Sequence, residues 1–143
     1  MSTTHPLGVA GLHHVALRVA DLDRSLALYR DTLGLPVTFA FTLDNRRFAW
    51  LETGNSGYIE LVEVKQAVRS TTEHDVLWHM AIRTDNLERS LDAVAKGGWT
   101  VMRPPTDFDL LNTVSNRRVA VRVAFFRGPD GEEIELLEDR SGR

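Results

Sequence analysis

Two stretches decide the fold: His14-Val15-Ala16-Leu17-Arg18 with Asp21-Leu22-Asp23-Arg24-Ser25-Leu26, and His79-Met80-Ala81-Ile82-Arg83 with Asn86-Leu87-Glu88-Arg89-Ser90-Leu91. The second repeats the first at a constant offset of 65 residues, from His14 to His79 and from Ser25 to Ser90. Ile59-Glu60-Leu61-Val62-Glu63 returns as Ile134-Glu135-Leu136-Leu137-Glu138 at an offset of 75. A unit written twice must be found before anything else, because it sets the architecture. The longer second offset places about ten extra residues in the second copy. Pro104–Asn116, rich in Pro, Asp, Asn and Thr, is where they are expected, as a loop and candidate lid.

Each copy carries the same order of elements. Alternation predicts strands over 13–19 and 77–83, with Val15, Leu17, Val19 and Trp78, Met80, Ile82 facing a helix. Asp21 is a good N-cap, Leu22, Leu26, Tyr29 and Leu33 recur at helical spacing, and Gly34 is a stop. In the second copy Asp85 or Asn86 is the cap, Leu87, Leu91 and Val94 the stripe, and Gly97-Gly98 the stop. Strands are then predicted near 37–43, 46–53 and 57–64, and near 99–103, 118–127 and 132–138, the last entered by a tight turn at Gly128-Pro129-Asp130-Gly131. The motif is βαβββ used twice. The expected fold is α+β: one domain over 1–143, built of modules 12–66 and 76–139 whose sheets form a metal-binding cleft.

Composition removes whole classes of function. With 143 residues, 43% hydrophobic, the chain can build one domain with a real core. A net charge of −3 and scattered basic residues give no footprint for nucleic acid. Cysteine is absent, so disulfides, thiolate metal sites and a Cys nucleophile are excluded. No apolar run is long enough to span a bilayer, and no signal-peptide pattern opens the sequence. A soluble, cytoplasmic protein is the expectation, with no membrane partner.

Strand parity gives the candidate site. If Val15 and Leu17 cover the helix, then His14, Ala16 and Arg18 face the opposite, concave side. The same alternation puts His79, Ala81 and Arg83 there, with Tyr58, Glu60 and Val62 and with Glu133, Glu135 and Leu137. A lone strand histidine is more often a surface residue, but here both residue types recur at matching places. His14, Glu60, His79 and Glu135 are therefore the candidate ligands of one divalent metal. Two imidazoles and two carboxylates suit Zn, Ni, Co, Mn or Fe(II). In an octahedral arrangement they leave two adjacent positions for neighbouring oxygens of a substrate. Closure of the two concave faces on each other would bring the four together. Arg18, Tyr58 and Arg83 share those faces as candidate substrate-binding residues. His13 is expected on the wrong side, in a structural role, and His5 and His74 in loops. Phe39, Phe41, Phe48, Trp50, Phe125 and Phe126 can line the cleft or pack behind it, with core expected for at least half.

His14–Val19 followed by Asp21–Ser25, Tyr29 and Leu33-Gly34-Leu35 resembles the opening signature of the vicinal oxygen chelate superfamily of glyoxalases, bleomycin resistance proteins and extradiol dioxygenases. Gly128–Gly131 with Ile134-Glu135-Leu136 resembles its closing one. The ligand set is similar to that of glyoxalase I. The resemblance implies a metal-dependent lyase or isomerase acting on vicinal oxygens through an enediolate, with Glu135 and Glu60 as catalytic carboxylates. Of the two, Glu135 is favoured as base. It also implies a small-molecule substrate, a thiol adduct being one form, and matches Arg18 to an arginine that holds a carboxylate of the thiol. Val37–Tyr58 and Asp107–Leu111 depart from the glyoxalase I pattern, which leaves the thiol open. A ring-cleaving Fe(II) dioxygenase and a non-catalytic drug-binding resistance protein are the alternatives within the same fold. Exposed sheet edges and small modules lead to the expectation of a homodimer.

Overall fold

The computed structural model describes residues 6–54, 56–66 and 75–141; His5 and His74 lie outside them. The first module runs β1 (His14–Val19), α1 (Leu22–Leu26, continued by a π-helical segment Ala27–Thr32), β2 (Val37–Leu43), β3 (Arg46–Glu52) and β4 (Tyr58–Glu63). The second runs β5 (His79–Arg83), α2 (Leu87–Lys96), β6 (Val101–Asn112), β7 (Arg117–Arg127) and β8 (Glu133–Asp139). The sheets are ordered β1-β4-β3-β2 and β5-β8-β7-β6, so the repeat in the sequence is a repeat in topology.

The caps explain where the helices start. Asp21 Oδ1 accepts from the Arg24 N–H at 3.2 Å, and Asn86, rather than Asp85, accepts from the Arg89 N–H at 3.0 Å. The first helix departs from a regular α period. The Leu33 N–H reaches back to the Leu28 carbonyl, five residues away, and the Thr32 hydroxyl takes the Ala27 carbonyl. This wider turn rotates the stripe so that Leu28 and Tyr29 are both fully buried. Gly34, with φ of 76°, then ends the helix in a conformation that side chains resist.

Helix-facing residues of both sheets join in one core. Ala49, Leu51, Ile59 and Leu61 from the first sheet meet Ala124, Phe126, Ile134 and Leu136 from the second, with Leu28, Tyr29, Leu87 and Val94 from the helices. The modules are thus fused through their helix-bearing sides. Tyr29 reaches Glu132, the Ala20 N–H donates to Asp130, and Trp99 donates to Thr32, all across the module boundary. A smaller cluster of Val121, Val123 and Phe125 lies on the opposite face of the second sheet.

Pro104–Asn116 is not the expected loop. β6 continues through Asn112, paired with β7 from Val101↔Phe126 to Asn112↔Arg117. The two prolines fall where the register shifts between Arg103 and Thr106, on an edge strand, where a missing N–H costs little. Only Thr113–Asn116 turns, with the Asn112 carboxamide accepting from Val114 and Ser115 N–H and Asn116 at φ 57°. The extra residues therefore lengthen a hairpin and offer no lid. Among the described residues no helix is long and apolar enough to cross a membrane.

Candidate functional site

The register reproduces the repeat at the level of side chains. His14 lies opposite Tyr58 with Glu60 two residues on, and His79 lies opposite Glu133 with Glu135 two residues on. Each histidine therefore meets its carboxylate across a parallel strand pair. His14 Nε2 is 3.8 Å from Glu60 Oε1, and His79 Nε2 is 2.8 Å from Glu135 Oε2. The next strand places Trp50 beside Glu60 and Phe125 beside Glu135.

These are two pairs rather than one group of four. Among the described residues no three His, Cys, Asp or Glu side chains gather as a metal site. The reason is tertiary: the modules spend their helix-bearing faces on each other, so the faces carrying the two pairs do not close within one chain. Each pair taken alone fits half of a divalent cation site. Two ligands on adjacent positions of one cation stand about 3 Å apart, and the two separations bracket that spacing.

The surroundings of the two pairs differ. The Trp50 indole N–H donates to Glu60 Oε2 at 2.5 Å, and its ring stacks on His14 at 5.8 Å between centroids, 23° from parallel. Glu60 is only 9% exposed, so this bond fixes a nearly buried carboxylate. Phe125, in the corresponding place, has no N–H to offer Glu135. Its ring instead meets His79 at 5.3 Å and carries the Arg103 guanidinium 5.2 Å above it.

Arg18 and Arg83 are exposed on the same faces as the pairs, and Tyr58 is half-buried beside Trp50. A groove of about 550 Å³ between the modules runs along helix-facing Val15, Ile59, Met80 and Ile82 and is bordered by His13, His14, Tyr58 and Arg83. Its neighbour, about 280 Å³, opens at His79, Trp78 and Glu133. Of the six candidate aromatics, only Phe126 packs in the helix-side core. Phe39, Phe41, Phe48 and Trp50 form a chain of ring contacts on the helix-free face, and Phe125 lies on that face of the second sheet. The expectation that at least half are core is corrected by cross-strand pairing: Trp50 shares a face with Glu60, and Phe39 and Phe41 share it with Trp50 and Phe48.

His13 and Trp78 are also corrected. The strands begin at His14 and His79, so parity does not govern the residue before each. His13 swings to the face that carries the His14–Glu60 pair, against His14, Trp50 and Tyr58. Trp78 is half exposed, its ring 4.5 Å from His79 and its indole N–H on Glu133. Sequence reasoning missed the placement of His13 and Trp50 against the first pair and of Arg103 over Phe125. The signal for Trp50 was its offset of 75 from Phe125, which places both in the carboxylate row.

Two βαβββ modules, each with a His–Glu pair across its parallel strands, define a small class of folds. The profile of the Glyoxalase/Bleomycin resistance protein/Dioxygenase superfamily matches residues 11–136, and the chain belongs to that superfamily. A lactoylglutathione lyase of Haemophilus influenzae is 30% identical over 135 residues, covering 90% of this chain and 92% of that protein. The trypanothione-dependent glyoxalase I of Leishmania major superposes with a TM-score of 0.69 at 25% identity, over 91% of this chain and 87% of its own. The fosfomycin resistance protein FosX from Mesorhizobium loti shares the fold, with a TM-score of 0.63 at 21% identity over 90% of each chain.

Proposed function

We propose that the protein is a divalent-metal-dependent lyase or isomerase of the glyoxalase I type. Its site is assembled in a homodimer, with His14 and Glu60 of one chain facing His79 and Glu135 of a second. The observation that carries this is the repeated pair: the same His–Glu diagonal on both sheets, on faces the chain leaves uncovered. Exposed apolar residues flank both pairs, among them Phe39 and Leu43 on the first sheet and Trp78, Phe108 and Leu110 on the second. Burial of such surface favours a partner, and a two-fold dimer would bring unlike modules together twice. The relatives named lactoylglutathione lyase support a small substrate with vicinal oxygens, such as the hemithioacetal of a 2-oxoaldehyde and a thiol.

A bound cation of the Zn, Ni, Co, Mn or Fe(II) kind would stabilise negative charge developing on two neighbouring substrate oxygens. The chain's own residues do the rest. Glu135 takes the proton from the carbon that bears the hydroxyl and the sulfur and returns it to the adjacent former carbonyl carbon, while the hydroxyl proton passes to the other oxygen, so the net change is an isomerisation without oxidant. Glu135 is favoured as the base because the Trp50 N–H holds one oxygen of Glu60, whereas Phe125, in the corresponding place, offers Glu135 no N–H. Arg18 and Arg83, exposed on the same faces, hold carboxylates of the substrate, with Tyr58 beside Trp50 at the edge of the first pair.

The test is a metal-reconstituted activity screen with metal analysis of the wild type and of His14→Ala and His79→Ala. Thioester formed from hemithioacetals supports the lyase. Oxygen uptake with catechols and Fe(II) would replace it with a dioxygenase, and drug binding without turnover with a resistance module. Full metal content in both alanine variants would end the reading.

A further inference from the structure

His13 Nδ1 lies 2.9 Å from His14 Nδ1. Two neutral imidazoles at that distance share one proton, so one ring donates and the other accepts. If His13 donated, His14 would carry its own proton on Nε2, and that nitrogen could not bind a cation. If His14 donates, its Nε2 is a free lone pair on the side of Glu60. Binding of a cation through His14 Nε2 requires the second arrangement, because an imidazole that ligates through one nitrogen carries its proton on the other. A proton on His14 Nδ1 has an acceptor at hydrogen-bonding distance, while exposed His13 can give its own Nε2–H to water.

We infer that His13 is a positioning residue: it accepts the His14 Nδ1 proton and so holds His14 in the tautomer whose Nε2 can bind a divalent cation. This rests on the reading of His14 as a ligand. His13 is itself held in place. Its ring packs against Trp50 at 5.1 Å and Tyr58 at 5.3 Å, and its carbonyl accepts from the Tyr58 N–H at 2.9 Å. The second module is an internal comparison. The residue before His79 is Trp78, a donor only, whose N–H goes to Glu133 at 2.9 Å. His79 Nδ1 is buried and, among the described residues, without a partner. The same fold thus has one ligand histidine with its second nitrogen engaged and one without, and the difference is the preceding residue. A hydrogen bond from the second ring nitrogen orients a metal-binding imidazole and raises its basicity.

The test uses the full chain with 15N-labelled histidine, metal-free, at a pH where both rings are neutral, and Co(II) as the cation. We expect the wild type to show His14 protonated at Nδ1 with a bare Nε2, and His13→Phe to lose that preference. Competition with a chromophoric chelator should show Co(II) affinity falling about 10-fold or more in His13→Phe. His13→Gln, whose carbonyl can accept, should recover most of the loss. A His14 proton on Nε2 in the wild type, or a His13→Phe variant with unchanged tautomer and Co(II) affinity, would overturn the inference while His14→Ala still abolished binding. Undiminished Co(II) binding by His14→Ala would remove the ligand reading itself.

Discussion

The Tyr29 hydroxyl donates to Glu132 Oε1 at 2.8 Å, tying the first module's helix to the turn that leads into β8. Both groups are inside the protein, and the second Glu132 oxygen accepts from the Asp130 N–H at 3.0 Å. Burial pushes both the Tyr29 hydroxyl and the Glu132 carboxyl above their ordinary ranges. A Cβ at Gly128 would overlap the Glu132 carboxylate, so the turn's first glycine is part of the same device. With the shared core and the Ala20–Asp130 and Trp99–Thr32 hydrogen bonds, this contact joins the modules through their helix-bearing faces, and that fusion leaves the His–Glu pairs facing outward.

Tyr29→Phe should therefore cost about 1–3 kcal/mol in denaturant unfolding, because a buried carboxylate oxygen loses its donor. The pH dependence has a definite sign. Glu132 is raised in the fold, so its contribution is fully present below the unfolded carboxyl pKa and is lost as pH rises through the folded value. Stability that rose through that range, with Glu132→Gln showing no effect on it, would contradict the assignment.

Glu63 should behave in the opposite way. Its carboxyl is held below the ordinary range by hydrogen bonds from Arg47, at 3.0 and 2.7 Å, and by the Leu22 N–H at 2.8 Å, at the start of the first helix. A depressed carboxyl stabilises above its unfolded pKa and loses that contribution as pH falls through the folded one. Glu63→Gln is expected to lower stability at neutral pH by about 1 kcal/mol, discounted for the exposure of Arg47. The difference from wild type should close in acid; a constant difference down to pH 2 would count against it.

Glu135→Gln keeps an oxygen ligand but loses basicity. We expect metal to be retained and turnover to fall on the order of 100-fold or more. Near-normal turnover would leave Glu135 as a ligand only.

Trp50→Phe removes the N–H that fixes Glu60 while preserving an aromatic ring against His14. Metal affinity should fall about 10-fold, and the metal-free protein should lose about 1–3 kcal/mol of stability because a nearly buried carboxylate oxygen loses its donor. Equal affinity in the two proteins would show that the bond does not organise the half-site.

Much of this architecture was legible in the sequence because duplication and strand parity are local. The offsets of 65 and 75 carried His14 onto His79 and Glu60 onto Glu135, and alternation put the members of each pair on one face. Four features escaped that reading. The π-helical turn depends on Thr32 taking the Ala27 carbonyl, which no periodicity encodes. The Pro104–Asn112 strand is set by pairing with β7, which overrode a composition that reads as loop. His13 and Trp78 lie one residue outside their strands, where alternation has no hold. Above all, which faces the modules turn to each other is a property of Tyr29, Glu132 and the shared core, not of any repeat.

The most direct test is a mixed dimer of His14→Ala and His79→Ala chains, purified with a different tag on each and analysed for bound metal. Each variant by itself should bind little. If each site takes one module from each chain, the heterodimer contains one intact site of four ligands. The account then predicts about one cation per heterodimer and restored turnover. A heterodimer as metal-poor as its two parents would contradict it, since sites built within single chains cannot be rebuilt by mixing.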